Sequence, residues 1–449
     1  MYRYNSSSNN YPIDQEITYY KERLAKLNPE KASDTSTYID IKTNLDMLEL
    51  TKQYGQSSWQ ANVISEQLVS YIQEMNTYQY GTEKNEEVFQ KVQEKYNQLV
   101  EKLNSDDWRY FAKSNLEEVN QKIADQKNRK ESTIDKKEIA SIENEIQDLE
   151  TEKQVLIWRL DKNISYENSA LNSALNKYYE STRGIRSYEQ SDSQDYEEKQ
   201  SYYKNLEKAS KSRYAIENGV DINNDTNARG ILLDVFSQYE IFIIIVVVMI
   251  AGAIVSEEFS KGTIKLLLVR PYKRNKILLA KFITCILMIL IMILGIIAVQ
   301  FVVGGVVHGF DSLKIPAVIY DHVSNQLQTM NIAQYLTLMA ISKLPLYILI
   351  ATIVFAFSTI FTNTALAVVM GFLAYMSTQF INAIGQLYHI TILKFFITPN
   401  WDLSQYLFGN LPSFQYTNFS LSCIMCIVYL LVILIPTFII FKKKNIKNI

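Results

Sequence analysis

The chain has 449 residues, with 45 Lys+Arg against 47 Asp+Glu, a length that excludes a single ordinary core. Its near-neutral balance hides two unlike halves. Residues 1–230 hold 31 basic and 40 acidic residues, whereas 231–449 hold 14 and 7 and are dominated by Ile, Leu, Val, Met and Phe. All three cysteines, Cys285, Cys423 and Cys426, fall in apolar runs, which excludes an intrachain disulfide in the polar half and leaves its compartment open.

The polar half reads as helices. Residues 11–27 form one candidate and 45–76 another, interrupted at Gly55. A third covers 83–103, where Val88, Val92, Tyr96 and Leu99 share a face. Ser105, Asp106 and Asp107 have the short polar and acidic side chains that open a helix. The clearest helix covers 136–161. Its Ile142, Ile146, Leu149, Leu156 and Leu160 follow a heptad-like seam broken by Lys153, short for a coiled-coil dimer and better suited to an antiparallel pair within the chain. Helices at 166–181 and 194–217 follow, and 218–225 is rich in turn residues. No strand-like alternation appears, so this half is expected to be all-α.

Five apolar stretches in the second half are long enough to span a bilayer, which takes about 20 helical residues. They lie at about 235–255, 282–306, 338–361, 365–385 and 421–441. The expected fold is therefore an all-α polytopic membrane bundle, residues 231–449, carrying a large helical domain, residues 1–230. The loop 256–281 holds seven Lys or Arg, and the chain ends with Lys442, Lys443, Lys444 and Lys447, whereas 307–337 and 386–420 have one lysine each. Positive charge stays cytoplasmic. That rule puts 256–281 and the C-terminus inside, and 1–230 outside. No basic segment followed by an apolar run opens the chain. A further N-terminal membrane helix, absent from these residues, is therefore expected. The alternative is a cytoplasmic polar half.

The loop 256–281 is the most informative segment. Gly262 permits a sharp turn. Ile264, Leu267 and Leu268 give a short helix one apolar face, opposite Lys261 and Lys265. Pro271 ends such a helix. A helix of this kind lies in the membrane interface, either as a surface anchor or as a device that passes a partner's motion into the spans. Glu257 or Glu258, Gly262, Thr263, Leu266 to Leu268, Pro271, Arg274 and Lys281 together resemble the first cytoplasmic loop of type-2 ABC-transporter permeases. That resemblance implies a coupling segment docking on a separate ATPase, carried by Glu257, Glu258, Lys261, Gly262, Thr263, Leu267, Arg270, Pro271 and Arg274. It implies a second permease subunit, identical or paralogous, and an exported peptide, lipid-like molecule or antibiotic. These 449 residues contain no G-x-x-x-x-G-K-[ST] phosphate loop, so the chain is not expected to hydrolyse ATP. A membrane-anchored binding or sensing protein and an envelope tether fit the same topology.

Asp234 and Glu240 sit near the outer end of the first span. They either line a substrate path or rest among the headgroups. Lys343 reads as an interfacial lysine that snorkels, and Pro345 as the first turn of its span. Gly305 and Gly309 make a lone G-x-x-x-G, and Ala251-Gly252-Ala253 is the better site for close helix packing. The aromatic-rich 386–416 reads either as interfacial aromatics or as an amphipathic helix. His308, His322 and His389 have no partners at ligand spacing. No metal, cofactor or nucleic-acid partner is expected.

Overall fold

The computed structural model describes residues 12–81, 85–105, 107–191, 195–222, 224–264, 273–361 and 363–444. The chain is mostly helical and divides into two compact units. One runs up to Arg186 and resumes over Ser212–Asp221, and the other takes Ser187–Lys211 and Ile222–Ile449.

In the first unit, α1 (Ile13–Leu24) packs on α2 (Ala32–Tyr54). Gly55, at φ +90°, ends α2. The next helix starts after Ser58, whose hydroxyl caps the Ala61 N–H. It continues as α3 (Trp59–Val63), a π-helical turn (Ile64–Leu68) and α4 (Val69–Tyr80). α5 (Glu86–Leu103), α6 (Trp108–Ser132) and α7 (Lys136–Asp161) open on side-chain caps from Asn85, Asp107 and Asp135. The seam expected on α7 does pair within the chain. Leu149 and Leu156 meet Leu116, Val119 and Ile123 of α6, and Arg129–Glu138 and Lys130–Glu143 ion pairs flank the hairpin. α8 (Ala170–Glu189) follows, and α9 (Tyr196–Asn218) is divided between the two units at Lys211.

The core of this unit gathers Val63, Ile64, Leu68, Leu103 and Phe111 around Tyr166. Arg159 is buried against that tyrosine, its guanidinium 3.7 Å from the ring centroid. It donates to Asn172 Oδ1 (2.7 Å) and to the carbonyls of Ile164 and Ser165. Both terminal nitrogens of the buried charge are used in this way, while Nε finds no partner among the described residues.

The second unit takes the first part of α9, then α10 (Ala228–Leu233) and α11 (Val235–Gln238). Its long helices are α12 (Glu240–Ser260), α13 (Arg274–His308), α14 (Ile332–Ile360), α15 (Thr364–Leu387) and α16 (Phe419–Lys443). These five are long and apolar enough to cross a membrane, as their sequence requires, and the chain is a multi-pass membrane protein. α14 is the hub, packing on α12, α13, α15 and α16. On α13 and α16, by contrast, Leu287, Ile291, Leu294, Ile427 and Leu431 remain exposed.

Close packing follows small residues. A Cβ at Gly252 would lie 2.7 Å from Val368, and one at Gly371 would lie 2.2 Å from Val354. The Ser358 hydroxyl donates to the Gly252 carbonyl (2.7 Å) and accepts from the Ser256 N–H (2.9 Å), tying α12 to α14. The G-x-x-x-G pair does something else. Gly305 makes room for the Phe310 ring, and Gly309 at φ +80° ends α13.

One expectation is corrected, that for Pro345, and two connecting segments take local structure of their own. Residues 307–337 contain an antiparallel hairpin, β1 (Ala317–Asp321) with β2 (Gln326–Met330), turned by Asn325 at φ +52°. Pro345 does not open its span, because α14 begins at Ile332. Residues 386–416 form two 3-10 turns, Thr391–Phe395 and Leu403–Gly409, in place of an amphipathic α-helix.

Candidate functional site

Polar side chains gather at the two ends of the second unit. At one end, α12 runs past its apolar stretch to Ser260 and breaks at Gly262, φ +70°, a conformation that an L side chain resists. Lys281, early in α13, donates to the Glu258 carboxylate (2.5 Å) and to the Ile254 carbonyl (2.6 Å). This binds the start of one span to the end of the span before it. Glu257 pairs with Lys261 (2.5 Å), and the Thr263 hydroxyl reaches the Glu258 carbonyl (3.4 Å).

Arg274 donates to the carbonyls of Lys442 (3.2 Å) and Lys444 (2.9 Å). Lys444 in turn caps α14 through the Thr359 and Ile360 carbonyls (2.8 and 3.0 Å) and sits 4.2 Å from the Phe259 ring centroid. Burial pushes the Lys444 ammonium below the usual lysine range. Beneath these contacts, Phe259, Ile264, Leu278, Phe355 and Phe441 form one apolar cluster.

The two basic stretches read from sequence therefore meet at one end of the bundle, together with the turn into α15, where Thr364 bonds Ser256 (2.8 Å). Leu267, Arg270 and Pro271, assigned to the same loop, lie outside the described residues, as do Lys265, Leu266 and Leu268.

At the other end, Glu240 opens α12 and Lys343 lies within α14. The Lys343 ammonium donates to Glu240 Oε2 (2.6 Å) and Asp402 Oδ2 (2.7 Å). Tyr375 donates to the remaining Glu240 oxygen (3.0 Å), and Ser404 N–H and Oγ to the remaining Asp402 oxygen (3.0 and 2.6 Å). The Tyr347 hydroxyl is buried beside this cluster and finds no hydrogen-bond partner among the described residues. Lys343 is thus no snorkelling residue. It is 7% exposed and clamps the 3-10 turn after Asp402 to two spans. Sequence reading found Glu240 but missed Asp402 and Tyr375, since nothing in their local pattern marks a partner 59 or more residues away.

Asp234 takes a different place. With α10 and β1 it lines a cavity of about 270 Å³ whose wall also includes Tyr320, Tyr335 and Phe408. Burial, and after it the carboxylate of Asp225, hold its carboxyl above the usual aspartate range. No site for a metal ion appears among the described residues.

The family described as "Protein of unknown function (DUF2705)" matches residues 198–447, more than half of the chain. The chain belongs to the DUF2705 family. The DUF2705 region takes in all five spans, the basic end of the bundle, the Lys343 clamp and the Asp234 cavity. "Uncharacterized protein YhcI" of Bacillus subtilis (strain 168) is similar, 30% identical over 207 residues, covering 45% of this chain. The chain spans 64% of that relative's length. No solved structure matches.

Proposed function

We propose that this chain is the membrane-spanning subunit of an ATP-binding-cassette transporter, an exporter of a peptide, lipid-like molecule or antibiotic. A separate ATPase drives it through the 256–281 segment. The observation that carries the reading is the Lys281 bond to both the Glu258 carboxylate and the Ile254 carbonyl. That bond joins the end of α12 to the start of α13, the two flanks of the segment. A push on it reaches α12 and α13 together, as coupling needs. Gathering of the basic residues at that end supports placing it in the cytosol, with residues 1–230 on the opposite side. The resemblance of this loop to type-2 permeases supports an ATPase partner and a second permease subunit.

The competing reading is a membrane-anchored binding or sensing protein that does not transport, which the Asp234 cavity favours. Purification of the full chain with the proteins it binds in its own cells separates the two. We expect an ATPase to co-purify, to be lost on Gly262→Pro and Glu258→Lys, and to return when Glu258→Lys is combined with Lys281→Glu. Retention of the ATPase in both single variants sinks the coupling assignment. Absence of any ATPase from the wild-type preparation favours the sensor.

A further inference from the structure

The Asp234 cavity is built by local chain geometry. Gly230 of α10 lies so close to the preceding turn that a Cβ there would meet the Asn224 carbonyl oxygen at 2.1 Å and Asp225 Cα at 2.6 Å. That contact seats Asp225 against α10. One helical turn after Gly230, the Asp234 N–H bonds the Gly230 carbonyl (3.0 Å). These two acids thereby border the same space, which Glu207 lines as well.

Neither carboxylate has a hydrogen bond or ion pair among the described residues. Every other described acid from Glu240 onward has one: Glu240 and Asp402 through Lys343, Glu257 through Lys261, Glu258 through Lys281, Asp311 through Lys314 and Asp321 through Ser324. The cations on the cavity wall make their direct contacts with other groups, although Lys211 also acts on Asp234 from a distance. Lys211 pairs with Glu207 (2.6 Å). Arg229 donates to the carbonyls of Ile222 (2.9 Å) and Pro316 (3.0 and 3.2 Å). The wall also carries Tyr320, Tyr335, Met339 and Phe408 beside the polar Ser404 and Asn410. A half-buried acid whose nearest cation, Lys211, is paired to another acid stays costly, and aromatic faces attract cations.

We propose that this cavity binds the protonated amine of an amphipathic small molecule, with the ammonium on Asp234 and Asp225 and the apolar body against Tyr335, Met339 and Phe408. An amine held here deepens the transport reading by naming its cargo class, and in that respect rests on it. Binding itself needs no ATPase, so the two ideas fail separately.

The test uses the purified full chain in nanodiscs and phenethylamine as probe, with 2-phenylethanol as its uncharged counterpart, read by saturation-transfer NMR. The amine binds and the alcohol does not. Asp234→Asn weakens amine binding roughly tenfold, the loss of one good charge contact. Asp225→Asn, at the more exposed acid, weakens it less. Met339→Trp fills the cavity without touching a charge and abolishes binding. Equal binding of amine and alcohol overturns the proposal, as does full affinity in Asp234→Asn or in Met339→Trp. Amine binding together with failure of any ATPase to co-purify from the chain's own cells upholds the site and removes the transporter.

Discussion

Asp234 is an acid whose folded surroundings favour its neutral form, through burial first and Asp225 second. The folded chain therefore holds this proton more tightly than the unfolded chain does. Ionised Asp234 opposes folding, and the opposition fades as pH falls through the raised folded value. Asp234→Asn should accordingly melt higher than the wild type at pH 7.5. The difference should shrink with acidification and vanish below about 3.9, the ordinary aspartate value. Melting curves of both proteins in detergent across that range check this; an Asn variant no more stable at pH 7.5 would mean that the carboxylate has found a partner. The sequence marked Asp234 as an acid near a span. It did not show the cavity, because Gly230, Asn224 and Asp225 acquire meaning only once the turn folds back on α10.

Between elements, the Lys343 clamp is a largely buried polar join in the membrane unit. It links α12, α14 and the turn after Asp402, with Tyr375 of α15 supporting Glu240. Removing only the lysine leaves two carboxylates facing each other. Lys343→Met should destabilise by about 3 kcal/mol, the lower end for a broken buried pair because both acids keep some exposure. The neutral triple variant Lys343→Met, Glu240→Gln, Asp402→Asn should recover most of that loss. Denaturant unfolding in detergent measures both, and a triple variant as weak as the single one would rule out the charge explanation.

The five spans were legible in hydropathy, and so was the break at Gly55. Their ends were not. α13 begins at Arg274, where Lys276 and Lys281 lower the apolar average although helical hydrogen bonding continues past a membrane's edge. The β1–β2 hairpin was hidden because Ala317, Val318, Ile319 and Tyr320 are all buried, so the strand lacks the alternation by which half-buried strands are read.

At the scale of the whole molecule, the decisive question is which end of the bundle faces the cytosol. The structure brings Arg274, Lys442 and Lys444 together, so one measurement orients the whole second unit. In a variant lacking Cys285, Cys423 and Cys426, single cysteines at Lys261 and Lys443 should resist a membrane-impermeant maleimide in intact cells, and one at Asn325 should react. Labelling of Lys261→Cys from outside inverts the topology and withdraws the ATPase partner. Much of this was readable from loop charge, whereas the loop's contacts were not, since they depend on carbonyls at helix ends.

α13 carries a further consequence. With 35 residues it is about 52 Å long at 1.5 Å per residue, far more than a bilayer's apolar layer needs. Near its far end, a Cβ at Gly304 would come within 3.2 Å of Ala228, next to Arg229 and Gly230 on the cavity wall. A stiff rod of that length swings its tip by about 4.5 Å for a tilt of about 5°. A displacement too small to notice beside Arg274 would therefore arrive at the amine pocket as a shift larger than a carbon–carbon bond, with no joint needed in between.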